Sequence, residues 1–245
     1  MIDRGQRTAT AKGVMLAVPH DIGDALQGDP GSLFDPDFWA ARGERSNALG
    51  GRGSAWFVGT EANPWVLRHY RRGGTISPLI SPDRYLWMGE NRVRSFAEWR
   101  LLEYLVQRGL PVPAPVAAWY RREGLTYHCD LLTRRIAGAQ CLTAALTRAA
   151  QPSSVWQKVG AAIARLHGAG ADHADLTANN ILLGSQDAVT VVDFDRGRLR
   201  APGAWSLRNL QRLHRSLRKV SKNLPPDRFT PEGWGALLEG YRAAG

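Results

Sequence analysis

Cysteine is scarce in this chain of 245 residues, which contains only Cys129 and Cys141. Two cysteines are too few for a disulfide framework or a cysteine-based metal site, and they fit a reducing compartment. No run of about 18 apolar residues occurs, which excludes a membrane-spanning helix. The first residues are not followed by an apolar stretch, so we expect neither a signal peptide nor a targeting anchor. The sequence therefore favours a cytosolic protein.

Acidic residues are outnumbered, with 22 Asp and Glu against 32 Lys and Arg and a formal net charge of +10. Such a charge attracts nucleotides, nucleic acids or an anionic membrane surface and does not choose among them. Hydrophobic residues make up 44% of the chain, enough to bury a substantial core. No fixed-period repeat or sustained heptad pattern is present, so we expect one large domain or two small lobes.

The first half of the chain has the pattern of an antiparallel sheet interrupted by helices. Strand-like runs occur at 14–18, 54–58 and 65–70. Asp35 followed by Pro36 predicts the start of a short helix. A long helix is predicted over 95–106 from its apolar spacing, and a hairpin with Gly124 at its turn follows it.

Around residues 134–140 the pattern changes from strands to helices, and we place a boundary between two lobes there. Residues 1–134 are expected to form a mainly antiparallel-sheet lobe with one long helix, and residues 135–245 a mainly helical lobe. In the second lobe an amphipathic helix is marked by Trp156, Val159, Ile163 and Leu166. Two short apolar runs at 181–183 and 189–192 predict a β-hairpin.

The residues that point to chemistry flank this hairpin. His173-Ala174-Asp175-Leu176 leads to Asn180, and Asp193-Phe194-Asp195 follows the second apolar run. The pattern resembles the kinase catalytic loop, His-Arg-Asp-Leu with Asn four positions later, and the Asp-Phe-Gly motif. Asn180 lies five positions and Asp193 lies 18 positions after Asp175. A hairpin of this length would bring the two metal-binding positions side by side.

Phosphoryl transfer from ATP explains why these residue types are needed. A carboxylate must lie near the attacking hydroxyl, and hard oxygen ligands must hold Mg²⁺ on the phosphates. We assign the first role to Asp175 and the second to Asn180 and Asp193. A single Asp or Asn before a strand is usually a cap or a turn residue, but three in register favour the site. The six histidines show no metal-ligand spacing, so His173 is interpreted as a residue that orders the loop.

Four residues upstream are candidates for nucleotide binding. Gly51 and Gly53 lie between strand patterns, where a kinase folds a glycine-rich loop, although a plain hairpin turn explains them equally. Arg68 occupies the strand position of the phosphate-contacting lysine, and it is also part of a basic surface run. Glu98 fits the helix glutamate that pairs with that cation. Ser95 and Glu98 also fit a helix capping box.

Several longer segments narrow the resemblance, which extends over nearly the whole chain. They are 66–74, 98–102, 110–113, 173–176 and 209–217. They resemble the bacterial lipopolysaccharide kinases, and among them the group that phosphorylates 3-deoxy-D-manno-octulosonic acid (Kdo). In that group arginine is the usual residue at the position of Arg68.

This resemblance implies a reduced protein-kinase-like fold of the α+β class with two lobes. It implies transfer of the ATP γ-phosphate to the 4-hydroxyl of Kdo on a lipid A precursor, with Asp175 as the catalytic aspartate and Mg²⁺ as cofactor. The expected location is the cytoplasmic face of the inner membrane, as a peripheral protein on an anionic surface.

Two other readings remain open from the sequence. The same loop would serve a heptose kinase or an aminoglycoside-type kinase. A non-catalytic nucleotide- or nucleic-acid-binding module would also use the basic charge, but the three site residues are intact and no nucleic-acid partner is expected. Basic residues after position 206 form a stripe that suits a membrane surface or a solvated helix face. The stripe consists of Arg208, Arg212, Arg215, Lys219 and Lys222.

Overall fold

The computed structural model describes residues 5–18, 22, 28–47, 55–71 and 83–245. The chain divides into two compact units. The first comprises Met1–Glu103 and Ala114–Arg135, and the second comprises Tyr104–Pro113 and Ile136–Gly245. Helices and antiparallel strands occur in both units, which confirms the predicted α+β class.

Among the described residues of the first unit, eight strands form one antiparallel sheet. Their order is β1-β2-β7-β8-β5-β4-β3, and β6 pairs with β8 outside this path. The strands are β1 (Gln6–Ala9), β2 (Val14–Ala17), β3 (Arg45–Asn47), β4 (Ala55–Val58), β5 (Trp65–His69), β6 (Tyr85–Leu86), β7 (Pro115–Glu123) and β8 (Thr126–Arg134). The three strands and the hairpin predicted from the sequence are confirmed.

The β7–β8 hairpin forms the middle of this sheet. Gly124 adopts φ +60° in the turn, a left-handed conformation that glycine reaches without steric cost. β5 pairs with β8 so that His69 lies opposite Asp130. Because successive side chains of a strand point to opposite faces, Arg68 and His69 face opposite sides of the sheet.

One face of the sheet carries the aromatic core of the first unit. Its buried members include Trp39, Trp65, Leu67 and Leu132. Trp39 belongs to α1 (Pro36–Ala40), and its indole N–H donates to the carbonyl of Leu33 at 2.9 Å. The Asp35 side chain accepts from the N–H of Asp37 at 2.9 Å, so the predicted cap and helix start are confirmed.

The opposite face of the sheet carries α2 (Arg94–Val106), which starts one residue earlier than predicted. Ser95 is fully buried near its start. The Ser95 hydroxyl donates to the carbonyl of Trp119 at 2.9 Å and so ties the first turn of the helix to β7.

The second unit is mainly helical with short strand pairs. Its helices are α3 (Leu142–Arg148), α4 (Ser153–Gly168), α5 (Trp205–Ser221) and α6 (Pro231–Ala244). Its strands are β9 (Gln140–Cys141), β10 (Ala171–Asp172), β11 (Ile181–Leu183), β12 (Val189–Val191) and β13 (Arg198–Leu199). The predicted helix over Trp156 to Leu166 and the predicted β11–β12 hairpin are both present.

Two glycines allow α4 and α6 to pack at close range. A Cβ atom added to Gly160 would lie 1.9 Å from the carbonyl oxygen of Leu237. A Cβ atom added to Gly240 would lie 2.1 Å from the carbonyl oxygen of Gln157. Backbone atoms cannot move aside as a flexible side chain can, so neither position accommodates a larger residue.

We expect Gly240→Ala to lower the free energy of unfolding by about 1–3 kcal/mol, because the added methyl group forces the two helices apart. Gly235→Ala is the matched control on the same helix, since a Cβ atom there meets no atom within 4 Å. That control should gain about 0.5–1 kcal/mol from the higher helix propensity of alanine. Urea unfolding of both variants measures the difference, and equal values would contradict the packing argument.

Candidate active site

The predicted catalytic loop connects β10 to the β11–β12 hairpin. It ends in a short 3₁₀ turn, Ala178–Asn180, immediately before β11. The carbonyl of Asn180 accepts from the N–H of Val192 at 2.9 Å, which extends the hairpin pairing by one step. Asp193 follows directly, so the hairpin holds Asn180 and Asp193 at adjacent strand ends.

Asp175 and Asn180 are joined within the loop. The side-chain amide of Asn180 donates to the backbone carbonyl of Asp175 at 2.9 Å. Because the amide nitrogen is used in this way, the side-chain oxygen of Asn180 is the atom left to coordinate a cation. The Asp175 carboxylate accepts from Arg212 at 3.0 Å, and its side chain is 58% exposed, so it remains accessible to a substrate.

Asp193 has an unusual backbone conformation. Its φ of 66° lies in the left-handed region, which Asp and Asn enter more readily than other non-glycine residues. The turn that follows is closed by a hydrogen bond from the N–H of Gly197 to the carbonyl of Phe194 at 2.7 Å. Sparsely populated backbone conformations of this kind are concentrated at functional sites.

His173 holds the loop in place. Its Nε2 lies 2.9 Å from the carbonyl of Val192, and its Nδ1 accepts from the N–H of Asp175 at 3.1 Å. The imidazole also packs on the Phe194 ring at 4.6 Å between centroids. Burial lowers the pKa of His173, which keeps the ring neutral, as an accepting Nδ1 requires. These contacts match the ordering role expected from the sequence.

Helix α5 supplies three side chains that hold the catalytic loop. Asn209 is buried, and its carbonyl oxygen accepts from the N–H of His173 at 3.0 Å. Arg212 forms the ion pair with Asp175. The Ser216 hydroxyl accepts from the N–H of Ala178 at 3.1 Å. These polar residues, at positions i, i+3 and i+7, share one side of the helix.

The sequence prediction missed this function of α5. Arg212 had been placed only in the basic stripe, whereas the structure pairs it with Asp175. The available signal was the helical spacing of Asn209, Arg212 and Ser216 beside the buried Leu213 and Leu217. The stripe is also shorter than predicted, because α5 ends at Ser221.

Asp172 belongs to the same hydrogen-bond network as Asn209. Its carboxylate accepts from the Asn209 amide at 3.1 Å and from Arg200 at 3.2 Å. Burial alone would raise the pKa of Asp172, but the hydrogen bonds from Asn209 and Arg200 outweigh it and hold this pKa below its usual value. The residue is therefore a buried anionic anchor for the loop.

Arg68 and Glu98 meet in the first unit. The guanidinium of Arg68, on β5, forms an ion pair with the carboxylate of Glu98, on α2. The Tyr70 hydroxyl donates to the same carboxylate, and burial raises the pKa of Tyr70, so the donor stays protonated. The Glu98 side chain is only 3% exposed, whereas that of Arg68 is 21% exposed. Arg68 is therefore a partly exposed side chain held by a buried partner.

Two alternatives weighed from the sequence are corrected by these contacts. Ser95 is the second residue of α2, past the N-cap position that a capping box requires, and its hydroxyl donates to the carbonyl of Trp119. Arg68 is not merely part of a solvated basic run, because it pairs with a buried carboxylate. Gly51 and Gly53 lie outside the described residues.

We expect Asn209→Ala to lower the free energy of unfolding by about 1–3 kcal/mol, because it leaves the buried N–H of His173 without its acceptor and removes one hydrogen-bond donor from the carboxylate of Asp172. Arg208→Ala, an exposed neighbour on the same helix, is the control and should stay within about 0.5 kcal/mol of the parent protein. Denaturant titration followed by tryptophan fluorescence distinguishes the two. A shift in Asn209→Ala no larger than in the control would refute the anchoring role.

No helix in the described part of the chain has the length and apolar character needed to cross a membrane.

Comparison with known proteins identifies relatives over most of the chain. The family described as lipopolysaccharide kinase (Kdo/WaaP) matches residues 36–241. A protein of Stenotrophomonas maltophilia (strain K279a) named 3-deoxy-D-manno-octulosonic acid kinase is 49% identical over 189 residues, which cover 77% of this chain and 75% of that protein. Proteins of the same name from Xanthomonas axonopodis pv. citri (strain 306) and Xanthomonas campestris pv. campestris (strain B100) are 49% and 48% identical, over 78% and 80% of this chain and 76% and 78% of theirs.

Proposed function

The chain belongs to the lipopolysaccharide kinase (Kdo/WaaP) family, and from this premise we propose that it transfers the γ-phosphate of ATP to the 4-hydroxyl of Kdo on a lipid A precursor. The relatives that carry the name of a Kdo kinase are about half identical to it over three quarters of its length. The observation that carries the proposal within the structure is the joined set of Asp175, Asn180 and Asp193 around one hairpin.

Asp175 acts on the acceptor hydroxyl in this proposal. Its exposed carboxylate accepts the hydroxyl hydrogen bond and takes the proton as the oxygen attacks the phosphoryl group. The ion pair with Arg212 fixes the direction of the carboxylate. The same arginine is a positive charge beside Asp175 that suits a phosphate oxygen.

Asn180 and Asp193 would hold Mg²⁺. An amide oxygen and a carboxylate are hard oxygen donors, which fit this ion, and the hairpin places the two residues at neighbouring strand ends. Mg²⁺, when bound, neutralises charge on the phosphates of ATP. The conformation of Asp193 and the hydrogen bond from Asn180 to Asp175 prearrange these donors on the protein side.

Arg68 would bind a phosphate of ATP in place of the lysine used by protein kinases. Its buried partner Glu98 fixes the guanidinium, and the Tyr70 hydroxyl fixes Glu98 in turn. A guanidinium is always charged and donates in a planar fork that suits phosphate oxygens. Gly51 and Gly53 are assigned to the phosphate-covering loop on sequence grounds alone.

We further propose that the fold is a reduced kinase-like one, with residues 1–134 as the N-terminal lobe and residues 135–245 as the C-terminal lobe. The antiparallel sheet with the helix that carries Glu98 supports the first assignment. The catalytic loop and its supporting helices support the second.

An anionic membrane surface is the proposed platform, at the cytoplasmic face of the inner membrane. Arg208, Arg215 and Lys219 are exposed on α5, and each basic residue near such a surface contributes about 1 kcal/mol. A lipid A precursor is itself held in that membrane, so the basic face would bring the enzyme to its substrate.

The function is tested with labelled ATP and Mg²⁺ against three acceptors: a Kdo-lipid A precursor, heptosylated lipid A and a free aminoglycoside. We expect label only in acceptors that contain Kdo, with mass analysis placing the phosphate on the 4-hydroxyl. Transfer to a substrate that lacks Kdo would favour the heptose or aminoglycoside alternative. ATP binding without transfer to any acceptor would favour a non-catalytic module.

We expect Asp175→Asn to lower kcat by about 10²–10⁴-fold, because the amide cannot take the hydroxyl proton. The matched control is Asp187→Asn, an exposed aspartate in the turn of the β11–β12 hairpin. It should retain the kcat of the parent enzyme. Single-turnover measurement of phosphoryl transfer separates chemistry from product release, and equal rates in both variants would exclude Asp175 as the base.

We expect Arg68→Met to lower kcat/KM for ATP by about 10–100-fold, since a hydrogen bond to a charged group is worth about 1.5–3 kcal/mol. Arg71→Met changes an exposed arginine three residues along the chain and should leave kcat/KM for ATP unchanged. Steady-state kinetics at saturating acceptor provide the measurement. Similar losses in both variants would indicate a general charge effect instead of a phosphate contact.

A further inference from the structure

The first unit contains a second cluster of metal-binding side chains, formed by His69, Asp83 and His128. Each offers one nitrogen or carboxylate oxygen, and these atoms lie within 4.8 Å of one another. His128 is buried, and His69 and Asp83 are partly buried. The proposed phosphoryl-transfer residues do not include any of the three.

The cluster lies on the sheet face opposite to the Arg68–Glu98 pair. His69 follows Arg68 on β5, and consecutive strand residues face opposite sides. His128 and Asp130 share a face with Leu132 of β8, and Leu132 belongs to the aromatic core beneath α1. The histidine cluster is therefore separated by the sheet itself from the residues proposed to contact ATP.

Each histidine has a carboxylate near a ring nitrogen. The Asp130 carboxylate is hydrogen-bonded to Nδ1 of His69. Nε2 of His128 has no hydrogen bond, and the Glu123 carboxylate lies 3.5 Å from it. Nδ1 of His128 lies 3.2 Å from the Asp83 carboxylate. The His69 ring has the arrangement typical of metal-binding histidines, in which the second N–H is oriented by a carboxylate.

The distances suit a small cation. Ligand atoms of a tetrahedral zinc site, at about 2.0–2.1 Å from the ion, are about 3.4 Å apart, close to the 3.2 Å between His128 and Asp83. The upper limit of 4.8 Å for the set is wider, so binding requires a small rotation of a side chain. The Asp83 side chain is the most exposed of the three, at 28% against 23% for His69 and 9% for His128.

A cavity of about 400 Å³ opens beside the cluster. Its lining includes the three cluster residues together with Asp130, Lys12 and Arg121. A cation held by three protein ligands would therefore keep a coordination position directed to solvent. Lys12 and Arg121 line the same space together with Asp29 and Asp35, so a water molecule is the expected fourth ligand.

We propose that His69, Asp83 and His128 form a binding site for a divalent transition-metal ion of the zinc class. The ligand atoms are Nε2 of His69, Nδ1 of His128 and a carboxylate oxygen of Asp83, and the fourth position is open to the cavity. Two imidazoles and one carboxylate are the donors preferred by Zn²⁺, whereas Mg²⁺ prefers oxygen donors alone. The site is distinct in chemistry and location from the one assigned to Asn180 and Asp193.

Cobalt substitution tests this site directly, since Co²⁺ in a four-coordinate site with imidazole ligands absorbs strongly in the visible range. Untagged full-length protein is treated with chelator, dialysed and titrated with Co²⁺. We expect one equivalent to produce the visible bands and Zn²⁺ to displace them. Asp83→Asn and His128→Asn should each weaken binding at least about tenfold, and Asp130→Asn, which loses only the orienting carboxylate, about 10–100-fold.

Two controls separate this site from other cation binding. His214→Asn changes a partly buried histidine outside the cluster, and Asp193→Asn changes the proposed Mg²⁺ site, so both should keep the visible bands. Circular dichroism reports whether each variant is folded, and Asp83→Asn remains informative if the buried His128 variant is not. The proposal is overturned if no stoichiometric bands form, or if the cluster variants bind Co²⁺ as tightly as the controls do.

Discussion

The imidazole of His173 lies where the catalytic loop, the end of β12 and the Phe194 ring meet, and its burial requires the neutral form. A neutral ring with one accepting and one donating nitrogen can bond to both the Asp175 N–H and the Val192 carbonyl. A single side chain thus fixes the distance between the loop that carries Asp175 and the strand that leads to Asp193. Protonation of this ring would break one of the two bonds, so the geometry of the site depends on burial.

Helix α5 holds the catalytic loop together with His173. Asn209 satisfies a buried backbone N–H of the loop and neutralises part of the cost of burying Asp172. Arg212 and Ser216 then act on the exposed side of the same loop. The loop is therefore held by side chains from one rigid helix, which suits a site in which positioning limits the rate.

The sequence was sufficient for those parts of the molecule that depend on local pattern. Strands β2, β4 and β5, the β7–β8 hairpin and helix α2 follow from periodicity and from glycine and proline positions, and their ends were predicted with errors of one to three residues. The motif around Asp175 could be recognised because its residues have fixed spacing. The contacts of Asn209 and Arg212 could not, because they join residues 37 positions apart through helix packing.

The histidine cluster could not be predicted from the sequence either, because it depends on strand pairing. The histidines lack the spacing along the chain that is typical of metal ligands, and this argued against His173 as a ligand. Such spacing describes only residues that are close in sequence. His69 and His128 are brought together because β5 and β8 are adjacent in the sheet. They are 59 positions apart in the sequence, and no spacing pattern of metal ligands covers such a separation.

Side chains along β5 alternate between the two faces of the sheet, which restricts insertions and deletions in this strand. Arg68 is paired beneath α2, and His69 is paired on the other side with Asp130, although the two residues are neighbours. Insertion or deletion of one residue between Trp65 and His69 would exchange the two faces, turning the guanidinium toward tryptophans and the imidazole toward Glu98. A change in the length of this strand would therefore break both pairs at once.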